Sequence, residues 1–370
     1  MKEINLGAIV TAKRRERGVT QEELAAHMGV SKASVSKWET GQSYPDITLL
    51  PQLAAYFDVS IDYLVGYTPQ LGVKEIKKLY QRLASDFATK DFSEVVAECE
   101  RLTKKFYSCY PLLLHITLLY INHAPLGNNS ERSRQILVGA VQLCEHVKQN
   151  SRDAHLIREA VLYQALCHLS LGEGEEVLGL LGRSVRLETK NGPLIAQAHL
   201  LTGDGDKSQE ILQVDLYQNL MSTFQSLLSI LQNNLHCLST AERVFSRAEG
   251  LAKLFDMNRL SPNNMAVLYA LGAHMYQIAG DSASALDLLA KYVDTCIYDF
   301  FPIELRGDDF FSKIDGWLSD NADVVPRSES VVKDSMMKDV LHSPVFAPLW
   351  ENPEYRLIVE RLKAFIQGGN

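Results

Sequence analysis

The chain has 370 residues, too many for one small core and enough for roughly two or three domains. Its 46% hydrophobic and 22% charged residues are the make-up of an ordinary folded protein, which excludes a disordered or fibrous polymer. A formal net charge of −8 excludes a protein that coats nucleic acid by bulk positive charge, but not a small nucleic-acid-reading head on an acidic body.

The first 67 residues read as five short helices. An amphipathic stretch from about Asn5 to Arg17 ends at Gly18. Thr20 opens a second helix with Glu23 three positions on, the spacing of a capping box in which hydroxyl and carboxylate each take the other residue's free backbone N–H. That helix stops at Gly29, and Ser31 caps a third that ends near Gly41. A fourth starts at Pro45-Asp46, or nearer Thr48 because Pro51 needs an early helical position, and runs to about Phe57. Ser60 caps a short fifth, and Gly66 to Gly72, with Pro69 between, reads as a linker.

From there to about Leu305 the sequence shows almost only helical periodicity. Helices are predicted at Val73–Phe87, Phe92–Phe106, Ser130–Lys148, Ala154–Leu171 and Thr240–Phe255, with no alternating strand. Val161-Leu-Tyr, followed by Gly172 and then Val177, Leu180 and Leu181, parallels Val267-Leu-Tyr, Gly280 and Ala285, Leu288 and Leu289. Ile195 to Leu212, turning at Gly203, is a third candidate. Gly172 and Gly280 lie 108 positions apart, close to three helix-hairpin repeats of about 34 to 36 residues. This resembles a degenerate tetratricopeptide-type array without most of that family's Trp and Pro positions; an irregular bundle of hairpins is the alternative. After Asp308 the character changes. Phe310, Phe311 and Trp317, a polar loop from Asn321 to Ser330, and Pro- and aromatic-rich segments around Pro344 to Tyr355 predict a cap on the last helices. Asp308-Asp309 reads as a helix start.

The N-terminus turns polar almost at once, and the longest apolar run, Pro111 to Ile121, contains His115 and is too short to span a bilayer. The expectation is a cytoplasmic protein with no membrane partner. The cysteines at 99, 109, 144, 167, 237 and 296 lack zinc-knuckle or C-x-x-C spacing and read as reduced, buried small hydrophobes.

The most informative segment is Gln21 to Gln42, QEELAAHMGVSKASVSKWETGQ. Two steeply crossing helices need a small residue at their contact, a glycine at the turn and apolar residues facing inward. Ala25, Gly29, Val35 and Trp38 supply these, with Leu24, Met28 and Val30 completing the buried face. Together TQEELA, MGVSKASVSKWETGQSYPD and LAAYFDVSIDYL resemble the Xre/Cro/phage-repressor family of helix-turn-helix domains, over roughly residues 5 to 67. The resemblance implies an all-α fold: a five-helix lambda-repressor-like head at 1–67, a linker at 68–72, the tetratricopeptide-like array at 73–305 and the cap at 306–370.

In that family the third helix enters the major groove of a double-stranded DNA operator. By position, Lys32, Ala33 and Lys37 are the implied base readers, with Ser31, Ser34 and Ser36 as supplementary contacts. Lysine can donate to guanine, and an alanine methyl can touch that of thymine. Gln21 matches a position that donates to backbone phosphate, and Gln42 and Ser43 are further phosphate candidates. Arg14 and Glu39 match a pair that ties the first helix to the third. For Ser31 a cap alone, and for Lys37 a solvated surface lysine, are the plain alternatives. Lys13, Arg15 and Arg17 could touch phosphate.

Residues 1–67 hold seven Lys/Arg against eight Asp/Glu, so useful affinity calls for a homodimer on two half-sites. No nucleophile–base pair, metal cluster or phosphate loop is legible, so no enzyme activity, cofactor or metal is expected. The Gly203-Asp-Gly-Asp run reads as a helix turn, not a metal loop. The body resembles the helical domains of Gram-positive regulators that bind short signalling peptides, which leaves a peptide or protein ligand open. Two readings follow: a dimeric transcriptional regulator whose body senses or dimerises, or an interaction scaffold that its helix-turn-helix merely localises to DNA.

Overall fold

The computed structural model describes residues 6–66, 70–127, 130–185, 191–321 and 327–368, and every regular element among them is helical. Contacts divide the chain into one unit of residues 1–76 with 99–114 and a second of 77–98 with 115–370. Asn5, Pro69 and residues 322–326 of the expected polar loop lie outside the described residues.

The first unit opens with α1 (Leu6–Glu16), α2 (Gln21–Met28), α3 (Lys32–Glu39), α4 (Leu50–Phe57) and α5 (Ile61–Val65). They close on one apolar cluster that holds Leu6, Val10, Leu24, Ala25, Met28, Val35, Trp38, Leu53, Ala54, Phe57 and Leu64. The fourth helix begins later than Pro45. Asp46 caps a single 3-10 turn, Ile47–Leu49, and the α-helix follows with Pro51 in its first turn, where a missing N–H breaks no bond. Gly66 ends α5 in the left-handed conformation. Gln70 and Leu71 of the expected linker are held in place: Gln70 Nε2 donates to the Ser108 carbonyl and the Leu71 N–H to Cys109 Sγ.

The following helices are α6 (Val73–Thr89), α7 (Phe92–Lys105), α8 (Tyr110–His123), α9 (Ser130–Asn150), α10 (Ala154–Leu171) and α11 (Gly174–Leu181). In the second unit α10 packs along α9 and against α11. Next come α12 (Gly192–Leu201), α13 (Gly205–Asn233), α14 (Leu238–Leu254), α15 (Met257–Leu260), α16 (Pro262–Ile278) and α17 (Ser282–Tyr298). Here α12 packs on α13 and α16 on α17.

Three corners are built alike. At each, two backbone N–H groups reach back into the last helical turn: Gly172 to Leu169 with Glu173 to His168, Gly203 to Leu200 with Asp204 to His199, and Gly280 to Gln277 with Asp281 to Tyr276. This is the Schellman arrangement, which needs a left-handed residue at its centre. The three glycines take φ of 77°, 85° and 84°. The next helix starts two residues later each time. Helix lengths are uneven, from 4 residues in α15 to 29 in α13.

The last helices are α18 (Asp315–Asn321), α19 (Glu329–Ser335) and α20 (Pro353–Gly368). Asp308 does not start a helix; its carboxylate accepts from the N–H groups of Phe310 and Phe311, which closes a turn before α18. Phe311, Phe346, Tyr355 and Leu362 share one core with Phe224, Met265 and Leu289 of α13, α16 and α17. Cys99, Cys109, Cys144, Cys167 and Cys296 are buried and form no disulfide, while Cys237 is exposed. Burial pushes the thiols of Cys144, Cys167 and Cys296 up to about 12, so they remain neutral small hydrophobes.

Trp38 is the largest side chain of the N-terminal core and 4% exposed. Truncation in Trp38→Ala leaves a cavity that costs about 3 to 5 kcal/mol. Hydrogen exchange on the full-length chain should show α1–α5 amides losing protection while those of α16 and α17 keep theirs. Unchanged protection in α1–α5 would mean that Trp38 is not a core residue.

Candidate nucleic-acid interface

The α2–α3 corner is fixed by local hydrogen bonds. The Thr20 hydroxyl accepts from the Glu23 N–H at 3.2 Å and the Glu23 carboxylate accepts from the Thr20 N–H at 2.7 Å, completing the capping box. The Thr20 N–H and hydroxyl, both donating to the Glu23 carboxylate, hold it below its usual range. Gly29, at φ 67°, turns the chain with its N–H on the carbonyls of Ala25 and Ala26. Ser31 then caps α3: its Oγ accepts from the Ser34 N–H at 3.1 Å and lies 2.8 Å from Ser34 Oγ.

At 100° per residue, α3 divides into two faces. Val35 and Trp38 are buried, and Ser34 and Glu39 fall in the same half of the helix. Lys32, Ser36, Thr40, Ala33 and Lys37 occupy the opposite arc, all exposed except half-buried Ser36. Of the residues singled out by sequence, Lys32, Ala33, Ser36 and Lys37 therefore share one face. Ser31 stands exposed at its N-terminus, bonded to half-buried Ser34. Lys32 Nζ lies 3.2 Å from the Glu22 carboxylate, with both side chains more than half exposed, a contact of small energy that water and salt readily exchange. Gln42 is exposed and Ser43 half-buried just past the helix, where their N–H groups reach the Lys37 carbonyl at 2.9 and 3.3 Å.

Behind this face lies a buried polar lock. Arg14 Nε donates to Glu39 Oε1 at 2.6 Å and a terminal nitrogen to Oε2 at 3.1 Å, and the other terminal nitrogen donates to the Val19 carbonyl at 2.8 Å. The side chains of Arg14 and Glu39 are 12% and 7% exposed. Gln21 Nε2 donates to Glu39 Oε2 at 2.8 Å, so the residue read as a phosphate donor also serves the lock. An amide nitrogen carries two hydrogens, so one donor remains for a phosphate. Burial, the largest single influence on Glu39, would raise its carboxyl. The hydrogen bonds from Arg14 and Gln21 outweigh it and hold the pKa below the usual range. Lys13 pairs with Glu16 at 2.8 Å, Arg15 is exposed, and the Arg17 guanidinium lies over the Tyr56 ring at 5.0 Å.

Gly7 was not singled out by sequence. A Cβ there would lie 2.4 Å from the Trp38 carbonyl oxygen and 3.0 Å from that of Glu39, so α1 crosses the C-terminal end of α3 at backbone contact. The small residue in Leu6-Gly-Ala was the available signal, but sequence does not tell a crossing glycine from a helix-start glycine.

Residues 10–64 match the Helix-turn-helix family model. They form an Xre-type helix-turn-helix domain. Over 73 residues the chain is 34% identical to the HTH-type transcriptional activator BcrR of Enterococcus faecalis, an alignment that covers 18% of this chain and 36% of that protein. It is 32% identical over 73 residues to the uncharacterized HTH-type transcriptional regulator YobD of Bacillus subtilis (strain 168), covering 19% of this chain and 65% of that protein. The chain thus spans less than two thirds of the length of either relative. No solved structure matches. No described helix is long and apolar enough to cross a membrane.

Two outcomes follow from the lock. Because folding lowers the Glu39 pKa, the pair's stabilisation is complete above the ordinary glutamate value of about 4.3 and is lost as pH falls through the lower folded value. Arg14→Met leaves the carboxylate buried without its cation and costs about 3 to 5 kcal/mol at neutral pH. Urea unfolding of the full chain between neutral and acid pH, followed at α1–α3 amides, should show this penalty shrinking as Glu39 protonates. A penalty independent of pH would remove charge pairing as its cause. Separately, Gly7→Ala should lower the melting temperature of the same amides, since two backbone carbonyls must move.

Proposed function

We propose that the protein is a sequence-specific DNA-binding transcriptional regulator that acts as a homodimer. The observation that carries this reading is the α3 face: Lys32, Ala33, Ser36 and Lys37 turned outward from the Val35–Trp38 core, in a domain that matches a helix-turn-helix family. In this reading α3 enters the major groove, with Lys32 and Lys37 donating to guanine O6 and N7 and Ala33 touching a thymine methyl. Ser31, Ser34 and Ser36 supplement them near the start of the helix. Ser31 and Ser34 are already engaged in the cap, so their part is the lesser. Gln21, Gln42 and Ser43 fix the docking position through backbone phosphates and carry no sequence information.

The charge balance supports two copies. Seven basic against eight acidic residues in 1–67 release few counterions per head, so one head binds weakly at physiological salt. Joining two heads on an inverted repeat combines their contacts. The body then serves to hold two copies together. The packed successive pairs α10–α11, α12–α13 and α16–α17 support its reading as a tetratricopeptide-like array of helical hairpins.

Selection of bound sequences from random duplex DNA, with the native protein beside its Lys32→Ala/Lys37→Ala variant, tests the assignment. The native chain should enrich an inverted repeat. Each single substitution should cost about 1 to 3 kcal/mol on that repeat and relax preference at one position of each half-site. Failure of the native chain to enrich any sequence, or equal enrichment by the double variant, would overturn it.

A further inference from the structure

A cavity of about 290 Å³ opens in the second unit, where α15, the start of α16 and the end of α17 meet the chain that follows α17. Asp256, Arg259, Glu304 and Arg306 line it, and all four are exposed. Among the described residues, none of these four side chains has an ion-pair or hydrogen-bond partner. Elsewhere, opposite charges three positions apart on a helix do meet: Lys13 with Glu16 at 2.8 Å, and Lys207 with Glu210 at 2.6 Å. Asp256 and Arg259 share that spacing and do not pair. Asp256 takes the left-handed conformation, φ 46° and ψ 53°, because it joins the end of α14 to α15 instead of lying in a helical turn.

We propose that this cavity binds a single zwitterionic α-amino acid with an apolar side chain. The guanidinium groups of Arg259 and Arg306 take its carboxylate, and the carboxylates of Asp256 and Glu304 take its ammonium. Pro262, Phe301 and Pro302 pack its side chain. Binding here is separate from base reading by α3 and holds whether or not the chain binds DNA.

The charges select the ligand. Two cations and two anions border one small space, and each sign must be met when water leaves it. A phosphate or a dicarboxylate would answer the guanidinium groups and face Asp256 and Glu304 as a like charge. A metal ion or a polyamine would reverse the conflict. A neutral molecule would displace water from four charged groups without replacing the charge-assisted hydrogen bonds. An α-amino acid carries both signs on one carbon, so it satisfies both pairs at once. Its planar carboxylate also matches the guanidinium fork.

Size and the remaining lining set the rest. About 290 Å³ lies at the lower limit of ligand pockets, which run from about 300 to 1,000 Å³. That admits one residue. Each further residue of an extended peptide adds about 3.3 to 3.6 Å and moves its two charged ends apart. Asn258 Nδ2 already donates to Asp299 Oδ2 at 3.0 Å, so these two polar side chains serve each other. Unmet polar capacity is thereby concentrated in the four charged groups. The side chains of Pro262, Phe301 and Pro302 offer no hydrogen-bonding group, which favours a carbon side chain over a polar one.

Isothermal titration calorimetry on the full-length protein without DNA tests this, with L-leucine, L-methionine and L-phenylalanine as probes. The native chain should bind at least one of them in the millimolar range or tighter. The N-acetyl derivative of that probe lacks the ammonium, and its methyl ester lacks the carboxylate. Each should bind about 10- to 100-fold more weakly, the span for loss of a hydrogen bond to a charged group. Arg259→Gln/Arg306→Gln and Asp256→Asn/Glu304→Gln should show the same loss for the unblocked probe. All four side chains are exposed, and unchanged melting without ligand confirms that each variant is folded. If a variant does not fold, the two derivatives decide on the native chain alone. Failure of the native chain to bind any of the three probes overturns the proposal. So does equal binding of a blocked derivative, or full affinity in either folded variant.

Discussion

Glu39 is the residue on which the geometry of the head turns. Its carboxylate accepts from Arg14 at the end of α1 and from Gln21 at the start of α2, while it sits at the end of α3 itself. One buried anion thus fixes the mutual placement of the three helices that any operator would meet. Apolar packing alone tolerates sliding and repacking by fractions of an ångström. A bidentate ion pair does not, because its two N–H···O bonds demand one orientation. Such a pair adds little net stability over a well-packed apolar substitute, but losing one partner is costly. Its value lies in aiming α3. The contact of Gly7 with the Trp38 and Glu39 carbonyls acts with it, since the close crossing sets the depth at which Arg14 meets the carboxylate.

Most of the head was legible in sequence because its devices are local. The Thr20/Glu23 capping box, the Gly29 turn and the Ser31 cap each involve residues three to five positions apart, and the resemblance to a known family supplied the Arg14–Glu39 pairing. The second role of Gln21 and the crossing at Gly7 were missed because they join residues 18 to 32 positions apart through geometry that no spacing rule encodes. The fourth helix starts later than its first Pro-Asp suggested, because Asp46 caps a 3-10 turn before the α-helix begins. Asp308 shows the same limit: its carboxylate closes a turn instead of opening a helix, and sequence alone does not distinguish the two.

In the body, helix existence was legible and burial was not. Periodicity located Ala154–Leu171 to the residue and the others within a few positions, since apolar residues recur on one side of each helix. The reading of helical faces assumes that the apolar side points inward. α10 breaks that assumption, because Leu162, Leu166 and Leu169 are exposed while Ala160, Gln164, Ala165 and Cys167 are buried. Small residues there permit a close helix approach, and Lys148 Nζ on α9 donates to the buried Gln164 Oε1 at 2.6 Å, which satisfies the amide oxygen within the contact. The three leucines are left on the solvent side of α10.

A head of near-zero net charge constrains how the molecule can gain affinity for DNA. Non-specific attraction to DNA grows with the number of phosphates neutralised, so a balanced head gives up affinity for every sequence alike. In the proposed reading, what remains depends more on base contacts at α3, which would raise the ratio of specific to non-specific binding while lowering both. Recovering useful affinity then requires more contacts of the same kind, not more charge. In the proposed homodimer a second copy would supply them without altering the head. For such a homodimer, occupancy of an operator would follow protein concentration through the dimer equilibrium.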